Sequence, residues 1–123
     1  MTQNGKKIFI VDDSPIIIAR LSGMLESLGN IQSVSCAQSY AEASALLLAT
    51  TPDMIILDIQ LPDKNGIQLL RYIKKEYPSV IVIMLSNESG HFYRTVCEMI
   101  GADHFMDKST EFEQIPELIS SYC

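Results

Sequence analysis

The sequence predicts a doubly wound α/β domain, with five parallel strands in one open sheet and helices on both faces. Two observations carry this. Short apolar runs alternate with longer stretches of helical periodicity five times along the 123 residues, the pattern of repeated strand–helix units. The runs are also unbroken rather than alternating apolar with polar, as strands covered on both faces are. Right-handed crossovers leave few arrangements for five such units. With no internal repeat, low-complexity tract or linker to divide it, residues 1–123 are expected to form one domain.

Ile8, Phe9, Ile10 and Val11 make a compact first strand that ends at Asp12 and Asp13. Ser14 and Pro15 then read as a helix N-cap and first helical residue. Ile17, Ile18, Leu21, Leu25 and Leu28 follow at helical spacing, with Gly29 as the stop signal. Residues 31–35 form a weaker second strand, and residues from about 39 to 49 a helix with Ala43, Leu46 and Leu47 on one side. The third apolar run, 53–58, leads into a loop rich in turn formers, Leu61-Pro-Asp-Lys-Asn-Gly66. Ile67, Leu70, Ile73 and Tyr77 mark the third helix, which Pro78 ends.

Residues 80–85 are the most continuous apolar run, suited to a strand buried on both faces. Phe92, Val96, Met99 and Ile100 are expected to form the inward stripe of a fourth helix closed by Gly101. Of the neighbours Phe92 and Tyr93, one is expected in the core and the other on a partner-facing patch. His104, Phe105 and Met106 form a short last strand, and Phe112, Ile115, Leu118 and Ile119 mark the final helix.

Charge narrows the function. The net charge is −6, and the nine basic residues are scattered, adjacent only at Lys6–Lys7 and Lys74–Lys75. Binding of nucleic acid phosphates needs clustered Lys and Arg, so no direct nucleic-acid binding by this chain is expected. Cys36, Cys97 and Cys123 are an odd number at wide spacing, which suits neither a disulfide framework nor a zinc site. Cys36 and Cys97 are expected in or near the core, and Cys123 as a terminal thiol. The first residues lack the apolar run of a signal peptide, and no apolar stretch reaches the ~18 residues of a membrane span. A soluble, cytoplasmic protein is expected.

In open α/β sheets, sites form at the carboxyl ends of the strands. Asp12 and Asp13 follow the first strand, Asp58 ends the third, Ser86 follows the fourth and Lys108 comes just after the fifth. Three carboxylates, one hydroxyl and one ammonium therefore converge on one edge. The carboxylates repel one another unless a cation joins them, and an oxygen-only cluster suits Mg²⁺. With a divalent cation and Lys108, the three carboxylates sum to neutrality. A phosphoryl group on Asp58 then leaves a net charge of about −1, which a hydrogen bond from Ser86 helps to stabilise. Such a site can carry a phosphoryl group. His91 and His104, by contrast, read as surface or strand-edge residues.

VDDSP at 11–15, LDIQLPDKNG at 57–66, Ser86 and GADHFMDK at 101–108 closely resemble the receiver domains of bacterial response regulators, in order and over the whole chain. The resemblance implies a flavodoxin-like sheet of strand order 2-1-3-4-5 with five helices. It implies that Asp58 is the phosphoacceptor, taking a phosphoryl group from a phosphohistidine on a sensor histidine kinase or phosphotransfer protein. Mg²⁺ would be held by Asp12, Asp13, Asp58 and the backbone carbonyl of Gln60, while Ser86 and Lys108 grip the phosphoryl group. Ser86 and Phe105 would form the switch that alters the face made by the fourth helix, fifth strand and fifth helix for a downstream protein target or a phosphorylation-dependent homodimer. Gln60 and Glu88 would tune the rate of dephosphorylation, and Ile17, Ile18 or Arg20 would meet the kinase. The chain would thus be no enzyme beyond weak self-catalysed phosphotransfer and autodephosphorylation.

The sequence departs from the family pattern at Ser109, where most receivers have proline, and at Phe105, where tyrosine is frequent. Ser86 keeps the hydroxyl of the commoner threonine. Rival readings fit less well. A haloacid-dehalogenase-type aspartyl-phosphate hydrolase needs a second Asp two residues beyond the nucleophile, but position 14 is Ser and position 60 is Gln. A flavodoxin-like binder needs a Ser/Thr/Gly-rich phosphate loop after the first strand. A degenerate receiver that only binds partners would not need every phosphotransfer residue type, and all are present. No residues remain after the last helix for an output domain, so either a stand-alone receiver or a fragment of a longer regulator is expected.

Overall fold

In the computed structural model, which describes residues 5–87 and 91–123, five strands form one parallel sheet. They are β1 (Lys6–Val11), β2 (Ile31–Ala37), β3 (Met54–Asp58), β4 (Ile81–Ser86) and β5 (His104–Asp107). Their order is β2-β1-β3-β4-β5. Helices α1 (Pro15–Glu26), α2 (Tyr40–Ala49), α3 (Gly66–Glu76), α4 (His91–Ile100) and α5 (Ile115–Ser120) form the connections and the final layer. This is the doubly wound sheet that the residue pattern predicted, in the flavodoxin-like order that the resemblance implied.

The period of two along each strand divides the core. Ile8, Ile10, Met54, Ile56, Ile83 and Leu85 face one side, where Leu21 and Leu25 of α1 and Ile115 and Ile119 of α5 cover them. Phe9, Val11, Ile55, Leu57, Val82 and Met84 face the other, against Leu47, Leu70, Ile73 and Cys97 of α2, α3 and α4. Every residue of β3 is buried, because it is the central strand with a helical layer on each face. Among the described residues no helix is long and apolar enough to cross a membrane.

Local signals account for the ends of several helices. Ser14 Oγ accepts the Ile17 N–H at 3.3 Å with Pro15 as the first helical residue, and Ser39 Oγ caps α2 through Glu42 N–H at 3.1 Å. Gly101, with φ of 121°, closes α4 in the left-handed region that favours glycine. Gly29 does not act as a stop. Helix α1 ends at Glu26, and Leu28 N–H turns back to the Leu25 carbonyl without a left-handed residue.

Two packing expectations are corrected. Phe92 and Met99 are not part of the inward stripe of α4, being 70% and 81% exposed. Cys97 is buried, and Tyr93 and Ile100 pack against the core. Ile100 packs inward as expected, but the stripe that meets the core is 93-97-100, one residue later than 92-96-99. Phe92 instead meets Tyr93 edge-on at 5.4 Å. Cys36 is likewise exposed rather than near-core, because β2 is an edge strand and its outer surface is incompletely covered. In the last segment Phe112 is buried in a 3-10 turn, Phe112–Gln114, ahead of α5, rather than within the helix itself.

Candidate functional site

Strand register brings the polar residues together. Val11 of β1 pairs with Leu57 of β3, so Asp12 and Asp58 extend from adjacent strands at the same level. Asp58 pairs with Leu85, one residue before Ser86, and Ser86 pairs with Asp107, one residue before Lys108. Main-chain bonds hold these ends in place: Asp12 N–H donates to the Ala37 carbonyl at 3.0 Å and Lys108 N–H to the Ser86 carbonyl at 2.9 Å. A cavity of about 300 Å³ opens above them, lined by Asp13, Ser14, Ile17, Asp58, Gln60, Ser86, Asn87 and Lys108.

Asp12, Asp58 and Ser86 are 1%, 5% and 2% exposed, and they are the buried polar residues of the described chain. Burial of two carboxylates side by side is costly without a cation, and Lys108 supplies one. Its Nζ lies 2.7 Å from Asp12 Oδ2 and 3.3 Å from Asp58 Oδ2. Burial pulls the ammonium toward its neutral form, but contacts with Asp12 and Asp58 outweigh this and leave its pKa above the ordinary lysine value. Asp58 is pushed up to about 6, first by burial and then by the Asp12 charge, against the opposing pull of Lys108 and the Gln60 N–H. That N–H donates to Asp58 Oδ1 at 3.2 Å, and Ser14 N–H donates to Asp12 Oδ1 at 2.9 Å.

One carboxylate oxygen each from Asp12, Asp13 and Asp58 lies within 4.8 Å of the others. Apart from the Lys108 ammonium, the buried Asp12 Oδ2 meets no donor among the described residues. An oxygen-only cluster with an under-satisfied buried oxygen fits a hard divalent cation such as Mg²⁺.

Of the residues expected at the site, Asp12, Asp13, Asp58, Gln60, Ser86 and Lys108 converge. Ile17 lines the cavity too and Ile18 does not, though both are partly buried against the same core cluster. Arg20 lies over the Phe112 ring at 4.4 Å and 3.8 Å from Glu113, away from the cavity. Phe105 is not at the cavity either. It is buried in the layer that α4 covers, with its ring under Arg94. Glu88 lies outside the described residues.

Three residues escaped the sequence reading. Asn87 lines the cavity, and its position directly after Ser86 was the available signal. Gly66 packs on the Asp58 carbonyl so closely that a Cβ would overlap it. Its N–H donates to Ile59 O at 2.5 Å, and Gln60 bridges to Asn65 across the loop. The Asn-Gly pair signalled a turn but not this contact. Asp107 organises the residues after Lys108, accepting from Ser109 Oγ at 2.6 Å, Ser109 N–H at 2.7 Å and Thr110 N–H at 3.2 Å. Those bonds, the Ser109 hydroxyl first, hold its carboxyl below the usual range. The Lys108–Ser109 peptide is trans.

Comparison with known proteins agrees with this architecture. Residues 8–120 match the family described as the response regulator receiver domain. The chain is 30% identical over 118 residues to the DNA-binding transcriptional activator EvgA of Escherichia coli, covering 93% of this chain and 57% of that protein. It is 35% identical over 111 residues to a protein-glutamate methylesterase/protein-glutamine glutaminase of Carboxydothermus hydrogenoformans, covering 89% of this chain and 32% of that one. The chain thus spans little more than half of the one relative's length and a third of the other's. The response regulator domain of Thermotoga maritima CheB superposes with a TM-score of 0.82 at 30% identity, covering 95% of this chain and 92% of that one. By this match and this fold, the chain belongs to the response regulator receiver domain family.

Proposed function

We propose that the chain is a phosphoacceptor switch in which Asp58 takes a phosphoryl group from a phosphohistidine of a sensor histidine kinase or phosphotransfer protein. The observation that carries this reading is the placement of Asp58 on the cavity, beside Asp12 and within 3.3 Å of the Lys108 ammonium. An Asp58 oxygen attacks phosphorus, the P–N bond breaks, and the imidazole leaves with its electron pair. Asp12, Asp13 and Asp58, with the backbone carbonyl of Gln60, would hold Mg²⁺, which when bound offsets the charge of the incoming group. Lys108 pairs with a phosphoryl oxygen, and the Ser86 hydroxyl donates to another. Gln60, which lines the cavity, and Glu88 would tune how readily water removes the group. The chain's own catalysis is confined to this phosphotransfer and the slow hydrolysis that follows.

Readout follows from movement of Ser86 and Phe105, which shifts populations of the face made by α4, β5 and α5 rather than building a new fold. The partner on that face is a protein target or a second copy of the chain, in the cytoplasm, and not nucleic acid. A second reading, one receiver within a longer regulator, is favoured by the 57% share of EvgA that the chain spans. Residues 1–123 act as one domain in either case.

Incubation with acetyl phosphate and Mg²⁺ followed by intact mass measurement tests the central step. One adduct of about +80 Da is expected, absent from Asp58→Ala. No adduct, or one that survives that substitution, rejects the reading. Rapid multiple-turnover release of phosphate with no adduct accumulating favours the hydrolase instead.

A further inference from the structure

Arg94, on the half-buried side of α4, makes three contacts with the end of β5 and the loop beyond it. Its Cζ stands 4.9 Å from the centroid of the Phe105 ring, and its Nη1 donates to the Phe105 carbonyl at 3.3 Å. Its Nη2 lies 3.9 Å from Glu111 Oε1, the oxygen that accepts the Asp107 N–H at 2.9 Å. Lys108 follows Asp107 directly and reaches across to Asp12 and Asp58. A connected path therefore runs from α4 to the floor of the cavity.

Strand β5 has four residues and pairs on one side alone, with β4. A short edge strand has half the ladder bonds of an inner one and is easily displaced. Each Arg94 contact is weak in isolation, since a half-exposed ion pair and a single cation–π contact contribute little. All three nevertheless act on the same short segment, from Phe105 to Glu111. The planar fork of a guanidinium can cover a ring, bond a carbonyl and face a carboxylate together, which a lysine ammonium cannot.

We propose that Arg94 is a positioning residue for the Asp58 site, clamping the end of β5 so that the Lys108 ammonium stays on Asp12 and Asp58. Only the kinetic consequence rests on the phosphoacceptor reading; the clamp itself does not. Coupling is reciprocal, so displacement of Lys108 also loosens Arg94 and alters the surface of α4.

The test compares the wild type with Arg94→Gln and Arg94→Lys in the full chain. In Mg²⁺-free buffer, the NMR signal of the Lys108 ammonium, protected by its two carboxylates, is expected to broaden or vanish in Arg94→Gln and to be partly retained in Arg94→Lys. The maximal rate of Asp58 phosphorylation by acetyl phosphate is expected to fall about three- to tenfold in Arg94→Gln, with an intermediate value for Arg94→Lys. A Lys108 signal unchanged in Arg94→Gln overturns the clamp, even where that variant melts earlier. If neither wild type nor variant is phosphorylated but the Lys108 signal is lost in the variant, the phosphoacceptor reading fails and the clamp stands.

Discussion

Gly66 packs directly onto the main-chain carbonyl of Asp58, leaving no room there for a side chain. The first residue of α3 thus presses on the backbone of the proposed phosphoacceptor, and its N–H closes the loop on Ile59. Gly66→Ala has to push α3 away or tilt Asp58. It is expected to destabilise the fold by about 1–3 kcal/mol in urea denaturation and to slow phosphorylation of Asp58. A variant as stable as the wild type would mean that the loop shifts without cost.

Asp58, with a pKa near 6 against an ordinary carboxyl value when unfolded, holds its proton more tightly in the folded state. Its ionised form therefore costs stability above pH about 6, and the cost fades as pH falls from about 7 to about 4. Asp58→Asn is expected to raise stability by about 1–3 kcal/mol at pH about 7.5 without divalent cations. The gain should shrink steadily toward pH about 4 in thermal melts. A gain independent of pH would point away from the buried charge.

Lys108 is the cation on which both buried carboxylates depend. Lys108→Met strands Asp12 Oδ2 and leaves two like charges facing each other. A loss of about 2–4 kcal/mol in neutral buffer is expected, together with a further rise in the Asp58 pKa, followed by carbon NMR of its carboxyl. No rise would mean that solvent, rather than Lys108, balances the pair.

Divalent cation binding can be measured without phosphorylation. At a concentration about a hundredfold above its dissociation constant, Mg²⁺ is expected to stabilise the fold by about 2.7 kcal/mol. Asp12→Asn and Asp13→Asn should each lose most of this effect. Melts at matched ionic strength, with NaCl in place of MgCl₂, separate binding from screening. Equal melts in the two salts would exclude the site.

The phase of α4 has a simple consequence. Phe92 is 70% exposed, so Phe92→Ala is expected to change stability by less than about 0.5 kcal/mol. Tyr93 packs on the core, and Tyr93→Ala is expected to cost about 2–3 kcal/mol. Denaturant titration of both variants distinguishes the two residues, and the reverse ranking would restore the 92-96-99 stripe.

Much of this protein is legible from local pattern alone. Five apolar runs separated by helical periodicities define the α/β alternation, and the polar residues at the strand ends, Asp12, Asp58, Ser86 and Lys108, stand in the sequence because backbone direction places those ends on one edge. Ser14-Pro15 and Gly101 mark helix ends through their own backbone chemistry. Other features depend on what each residue meets. The stripe of α4 that meets the core lies one residue later than 92-96-99, and Cys36 is exposed because β2 lies at an edge. Gly66 on Asp58 and Arg94 on Phe105 are contacts between elements, with no signature along the chain. The residue pattern alone named most of the groups that gather at the cavity, Asn87 apart, since parallel strands put their carboxyl ends on one edge. How they are held was settled by packing, because burial, register and the approach of one helix to another strand's end arise when the layers meet.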